Sequence, residues 1–124
     1  MMNSTNKIKS FTDLYAWKES HKLTVSIYKI TKKFPKEEMY SLVDQVRRCT
    51  VSIGSNIAEG FSRQTKKEKI QFYYMAKGSL TELQNQLLVA RDVDYISKEI
   101  FDSLAQQTIV VAKLINGLIK FQKQ

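Results

Sequence analysis

The side chains most capable of chemistry in this 124-residue chain are few and widely spaced. There is one histidine, His21, and one cysteine, Cys49, which argues against a protein-only zinc site. A Ser-His-Asp or Cys-His site would have to use His21 as its base. Glu59 and Glu82 remain as candidates for an acid–base pair, but no substrate-binding motif accompanies them. We therefore predict no enzymatic activity, no metal and no cofactor.

Positive charge is the second chemical feature, since the net charge is +8 and the isoelectric point is near 9.6. Such an excess favours an acidic partner, and nucleic acid is the first candidate. Basic residues cluster at two predicted helix junctions, which lie at opposite ends of an up-down bundle. The residues predicted to contact phosphate groups are Lys29, Lys32, Lys33, Arg47, Arg63, Lys66, Lys67 and Lys69. Taken singly, each lysine can also be a solubilising surface charge.

A polar stripe of mostly small side chains runs beside the apolar face of the second predicted helix, and a matching row lies on the third. Spacings of three and four residues place each row on one helix face. The stripe contains Gln45, Arg48, Ser52, Ser55, Asn56 and Glu59, then Gly78, Ser79 and Glu82. It is either a solvated face, an interface within the bundle or an interface between subunits. In an interface, Arg48 is expected to pair with Glu82 or Glu59.

The elements that position these residues are helices, because apolar residues recur every three or four positions. The pattern predicts helices at about residues 12–33, 36–60, 66–91 and 97–121, with Trp17 and Tyr73 in the core. Thr12 is the predicted N-cap of the first helix, and the run Thr65-Lys-Lys-Glu68 matches a capping box. Gly60 is predicted to end the second helix in a left-handed conformation, and the glycines inside helices, Gly54 and Gly78, predict close helix approach.

The predicted fold is all-α, an antiparallel up-down-up-down four-helix bundle over residues 11–124, preceded by a flexible tail at residues 1–10. The polar N-terminal residues lack the apolar core of a signal peptide, and no apolar run is long enough for a membrane span. A lone cysteine suits a reducing compartment. We predict a cytoplasmic protein with no membrane partner.

Several motifs carry a resemblance to a known family. The run Gln45-Val-Arg-Arg48, then Ser52-Ile-Gly-Ser-Asn-Ile-Ala-Glu-Gly60 and later Gly78-Ser-Leu-Thr-Glu-Leu83, resembles the 23S rRNA intervening-sequence proteins. The segments Leu14-Tyr-Ala-Trp17 and Phe34-Pro-Lys-Glu-Glu38 do so too, and the likeness covers about residues 11–121. Gly54 stands where the family often has proline.

The resemblance implies a small bacterial four-helix bundle to which no enzymatic activity is attributed. A related member, the accessory protein of diversity-generating retroelements, is similar in forming a barrel-like homopentamer. Its basic surface binds nucleic acid and a reverse transcriptase. For this chain the resemblance therefore implies a homo-oligomer, a pentamer, with RNA and a reverse transcriptase or another protein as partners.

The leading hypothesis is a non-enzymatic, basic, homo-oligomeric bundle that binds the backbone of RNA or DNA, or a ribonucleoprotein. The alternative is a protein-interaction scaffold whose charge serves solubility or an acidic protein partner. Salt-dependent RNA binding separates these two. An antitoxin-like or membrane-surface bundle is also compatible with the composition.

Overall fold

The computed structural model describes residues 7–124, so most of the predicted tail, residues 1–6, lies outside the described part. Within residues 7–124 there are four α-helices and no strand. The helices are α1 (Tyr15–Thr31), α2 (Leu42–Ser62), α3 (Lys66–Asp92) and α4 (Lys98–Lys123). Short 3-10 turns precede the first two, at Phe11–Asp13 and Lys36–Glu38. Each helix packs on the next, and α4 packs back on α1, which confirms the four-helix bundle.

Contacts between successive helices show that they are antiparallel. Trp17, in the first turn of α1, lies against Gly54 in the second half of α2. Thr31, at the end of α1, accepts a hydrogen bond from Arg47 near the start of α2. The same crossed order relates α3 and α4. Lys123 Nζ donates to the Tyr74 hydroxyl at 2.9 Å, and the Arg91 guanidinium lies 4.6 Å from the Phe101 ring. The predicted up-down-up-down order is therefore confirmed.

The core is formed by the predicted apolar stripes. On α3 six apolar residues at steps of three and four are buried: Tyr73, Ala76, Leu80, Leu83, Leu87 and Ala90. Tyr73 is only 1% exposed, which confirms its assignment to the core. Met39, which precedes α2, is 47% exposed and lies outside the core. Trp17 is only partly buried and packs at the margin of the core.

Local hydrogen bonds move two predicted helix starts. The N-cap residue is Ser10 and not Thr12, and it caps the 3-10 turn Phe11–Asp13. The Ser10 hydroxyl accepts a hydrogen bond from the Thr12 N–H, and the Asp13 carboxylate accepts one from the Ser10 N–H. This capping box closes a 3-10 turn, so α1 begins at Tyr15. A second 3-10 turn begins at Lys36, and α2 begins only at Leu42. The predicted cap at Thr65 is confirmed, since Thr65 Oγ1 accepts from the Glu68 N–H at 3.1 Å.

The glycines have roles different from those predicted. Gly60 does not end α2, which continues to Ser62, and no glycine has a positive φ among the residues described. A Cβ on Gly60 would lie 2.6 Å from Cε1 of Tyr73, so this is the position of close helix approach. A Cβ on Gly54 would make ordinary contacts of 3.5 Å, and one on Gly78 would meet nothing within 4 Å. The predicted close approach at Gly78 is therefore not one between helices of the same chain.

None of the helices in residues 7–124 combines the length and the apolar character required to cross a lipid bilayer.

Candidate nucleic-acid interface

The end of the bundle at the α2–α3 junction is strongly basic, because the last turns of α4 return to it. Lys66 Nζ lies 3.0 Å from the carbonyl oxygen of Gln124, and Lys123 Nζ lies 2.9 Å from the Tyr74 hydroxyl oxygen. We call this region the basic end. Its lysines are Lys66, Lys67, Lys69, Lys120 and Lys123. Lys120 and Lys123 were missed as site residues, although the predicted topology already brings the end of α4 to this junction.

The carboxylates at the basic end are occupied by other groups. Glu59 and Glu68 both lie beside the Arg63 guanidinium, at 3.0 and 3.9 Å. The Asp13 carboxylate accepts the backbone N–H groups of Lys9 and Ser10, which hold its pKa below the ordinary value. Within residues 7–124 no lysine of the basic end forms an ion pair. Its positive charge is therefore not neutralised by any side-chain carboxylate among the residues described.

The opposite end carries mixed charge. The lysines of the α1–α2 junction are Lys29, Lys32, Lys33 and Lys36. The acidic residues of the same end are Glu37, Glu38, Asp44, Asp92, Asp94 and Glu99. The 21 residues of α2 separate the two ends by roughly 30 Å. The two predicted basic clusters thus do not form one surface. Among the residues described, the side-chain carboxylates near the basic end are occupied, whereas acidic side chains lie among the lysines of the opposite end.

Three of the predicted phosphate contacts are held by the fold itself. Arg47 Nε donates to Thr31 Oγ1 at 2.9 Å, and its guanidinium lies 4.8 Å from the centre of the Tyr28 ring. Lys69 Nζ donates to the carbonyl oxygen of Phe61 at 2.6 Å, where a cation complements the C-terminal end of the α2 dipole. Arg63 is neutralised by its two carboxylates. Lys66 and Lys67 are the predicted site residues at the basic end with the most exposed charge.

Part of the polar stripe lines a groove between α2 and α3 of about 300 Å³. The residues of this α2–α3 groove are Gln45, Arg48, Cys49, Ser52, Ser79 and Glu82. The two helices are joined across it by a hydrogen bond of 2.9 Å between the Ser52 and Ser79 hydroxyl groups. Asn56 Nδ2 donates to the Ser52 carbonyl oxygen at 2.9 Å. Ser55 lies outside the groove, on the side of α2 that faces α1.

The predicted ion pair between Arg48 and Glu82 or Glu59 does not form within the chain. The Arg48 side chain is 75% exposed, and its nearest carboxylate is Asp44, one turn earlier in α2, at 3.9 Å. Glu59 pairs with Arg63 instead. Within the chain the pair is absent because the Arg48 side chain extends into solvent at the edge of the groove, and a pair between subunits stays a prediction.

A second groove, of about 360 Å³, lies between α1 and α2. The residues of this α1–α2 groove are Phe11, Trp17, His21, Thr24, Val51, Gly54, Ser55 and Ala58. The rings of Trp17 and His21 are stacked, with centroids 4.7 Å apart and planes inclined by 14°. Sequence reasoning missed this groove because it assigned Trp17 to the core, although the spacing of four residues already placed both rings on one face of α1.

Cys49 is a poor nucleophile at neutral pH. Burial raises the pKa of its thiol to about 11, the Glu82 carboxylate acts in the same direction, and Sγ donates to the Ser79 carbonyl oxygen at 2.9 Å. Relative to the ordinary value of 9.0, such a pKa lowers the thiolate fraction at pH 8 about 100-fold. In the described part of the chain no three His, Cys, Asp or Glu side chains are placed to hold a metal ion.

We expect iodoacetamide to alkylate Cys49 at least about 100-fold more slowly in the folded protein than in urea at pH 8. Intact-mass measurements over time give both rates. Because the reactive species is the thiolate, the folded-state rate should continue to rise with pH until about 11. Similar rates in the two states, or a plateau below pH 9, would contradict the assignment of a buried thiol.

Comparison with known proteins identifies the fold. The family model described as 23S rRNA-intervening sequence protein matches residues 12–117. A crystal structure from Bacteroides thetaiotaomicron VPI-5482, described as a protein with unknown function from the S23 ribosomal protein family, is similar with a TM-score of 0.80. The two chains are 24% identical, and the alignment covers 88% of this chain and 98% of that one. No curated protein matches the chain.

Proposed function

Since the chain belongs to the family of 23S rRNA-intervening sequence proteins, we propose that it is a non-enzymatic protein that binds the phosphate backbone of nucleic acid, RNA in particular, as a homo-oligomer. The nucleic acid is either free or part of a ribonucleoprotein. The observation that carries the proposal is the basic end, where five lysines from α3 and α4 have no side-chain carboxylate partner within the described residues.

Phosphate recognition explains the arrangement of these lysines better than base recognition does. They surround the end of a bundle and do not follow one face of a helix that fits a groove of duplex nucleic acid. Contacts of this kind release counterions from the backbone, so affinity falls steeply as salt concentration rises. The binding is therefore salt-sensitive and largely independent of sequence.

Titration of labelled single-stranded and double-stranded RNA, followed by fluorescence anisotropy, tests the proposal. Between about 50 and 200 mM salt the affinity should fall at least about ten-fold, as expected for several phosphate contacts. Absence of binding at the lower salt concentration would refute the proposal and leave the protein-interaction scaffold as the better hypothesis.

Self-association, as a pentamer or another closed ring, is proposed to use the α2–α3 groove and the neighbouring face of α3. Arg48 and Glu82 lie at the groove without pairing with each other, so both charges are available to a second copy. Beside them Gly78 has open space in place of a side chain, and Met75 is 49% exposed. A glycine inside a helix lowers stability by about 1 kcal/mol relative to alanine, and nothing in residues 7–124 requires it here.

The Gly78→Ala variant tests this interface, because the two alternatives predict different changes in oligomer mass and in unfolding free energy. If a helix of a second copy packs against Gly78, the added methyl group should reduce the oligomer mass measured by light scattering at micromolar concentration. If the face is solvated, the variant should keep the mass of the wild type and gain up to about 1 kcal/mol in unfolding free energy. The second result would contradict the proposed interface.

A further inference from the structure

The α1–α2 groove presents an aromatic surface to solvent. Phe11 packs edge-on against Trp17, with centroids 5.4 Å apart and an interplanar angle of 71°, and Trp17 in turn stacks on His21. Phe11 and Trp17 are partly buried, whereas His21 is exposed. The order of the three rings therefore leaves the outer face of the imidazole free for a further planar group.

The opposite wall of this groove is made of small side chains. Gly54, Ser55 and Ala58 lie on the side of α2 that faces the rings. A Cβ on Gly54 would stand 3.5 Å from Trp17 Nε1, an ordinary contact, so the packing of the bundle does not require glycine there. The groove volume of about 360 Å³ lies within the range of about 300–1,000 Å³ that is usual for small-molecule sites.

Polar groups at the groove favour a planar ligand that carries hydrogen-bonding edges. Among the described residues, no acceptor forms a hydrogen bond with Trp17 Nε1, an obligatory donor. The Ser55 side chain lies at the rim, exposed. Nucleobases combine a π-face with such edges, and stacking on aromatic side chains is the usual mode by which single strands are held.

The position of the groove connects it with the basic end. It is built from the first half of α1 and the second half of α2. Both halves lie next to the end of the bundle that carries Lys66, Lys67 and Lys123. A strand whose phosphates lie at the basic end can therefore extend along the α1–α2 face of the same bundle.

Building on the proposed function, we propose that the α1–α2 groove binds an unpaired nucleobase, which stacks on the outer face of the His21 ring, itself stacked on Trp17. The protein then prefers single strands, since the faces of bases within a duplex are covered by their neighbours. Phosphate contacts at the basic end supply attraction without sequence preference, and the groove distinguishes strands that can present a free base.

Trp17 is the only tryptophan, so its fluorescence reports directly on this groove. The experiment compares a single-stranded RNA of twelve uridines or adenosines with an abasic phosphodiester strand of the same length. Both strands should bind at low salt, but only the base-bearing strand should quench Trp17 fluorescence, and it should bind at least about five-fold more tightly.

Substitutions at exposed positions separate stacking from folding. His21→Ala should reduce the affinity for the base-bearing strand at least about five-fold without changing that for the abasic strand, and His21→Phe should restore it. Ser55→Leu should also remove the quenching, because it fills the groove from the α2 side. Tyr40→Ala, at a residue that is 95% exposed near the other end, is the control and should bind as the wild type does.

The outcomes distinguish the two proposals. Equal binding of both strands with unchanged tryptophan fluorescence, or an unaltered preference in His21→Ala, would overturn the nucleobase site and leave phosphate binding intact. Failure of both strands to bind at about 50 mM salt would overturn the proposed function and this inference together.

Discussion

Replacement of Lys66, Lys67 and Lys123 by glutamine is expected to weaken RNA binding on the order of 100-fold at about 50 mM salt. These three lysines belong to the basic end, and none of them is paired with a carboxylate in residues 7–124. Each lysine–phosphate interaction contributes about one to the slope of log affinity against log salt, so the triple variant should reduce that slope by about three. Titrations of the same labelled RNA at four salt concentrations measure both quantities.

The matched control places the same change of charge at the other end of the bundle. Glutamine at Lys29, Lys32 and Lys33 lowers the net charge equally, but these lysines share their end with six acidic residues. This variant should bind RNA within about three-fold of the wild type, since long-range attraction alone is screened within about 10 Å at 0.1 M salt. Equal weakening in the two variants would show that net charge, and not the basic end, determines binding.

The Gly60→Ala substitution is expected to lower the free energy of unfolding by about 2 kcal/mol. A Cβ at this position would lie 2.6 and 2.9 Å from two carbons of the ring of Tyr73, a residue that is only 1% exposed. Overpacking of this kind usually destabilises a core by about 1–3 kcal/mol. The better helix propensity of alanine offsets at most about 1 kcal/mol of that loss.

Gly117→Ala is the control for backbone effects, because Gly117 lies inside α4 and a Cβ there would meet nothing within 4 Å. It should raise the free energy of unfolding by up to about 1 kcal/mol through helix propensity alone. Urea titrations followed by circular dichroism give both values. If Gly60→Ala were as stable as Gly117→Ala, the close contact between α2 and the Tyr73 ring would be disproved.

The helices were predictable because each amphipathic pattern is a local property of the chain. On α3, the steps of three and four from Tyr73 to Ala90 identify every buried apolar position, although not the buried Gln86. Thr65 and Ser97 mark helix starts through their own hydroxyl groups. Local reasoning failed where two signals compete. Thr12 is a good capping residue, but the hydroxyl of Ser10 accepts the hydrogen bond from the Thr12 N–H and caps a 3-10 turn ahead of α1.

The candidate sites were less predictable, since they depend on which helices meet. Lys66 and Lys67 stand out in the sequence, but the contribution of Lys123 follows only from the return of α4 to the same end. Arg48 and Glu82 are correctly placed on neighbouring helices, yet their side chains do not pair, because Arg48 is exposed at the edge of the α2–α3 groove.

The sequence by itself determined the helical fold, the antiparallel order and the excess of positive charge, because periodicity, capping and composition are properties of neighbouring residues. Only the tertiary structure decided which lysines have no side-chain carboxylate nearby. It also decided that the Tyr73 ring packs directly against Gly60, and that the stacked rings of His21 and Trp17 line an open groove. Those features depend on distances between residues far apart in the chain, and packing sets such distances to within an ångström while a pattern of residue types does not.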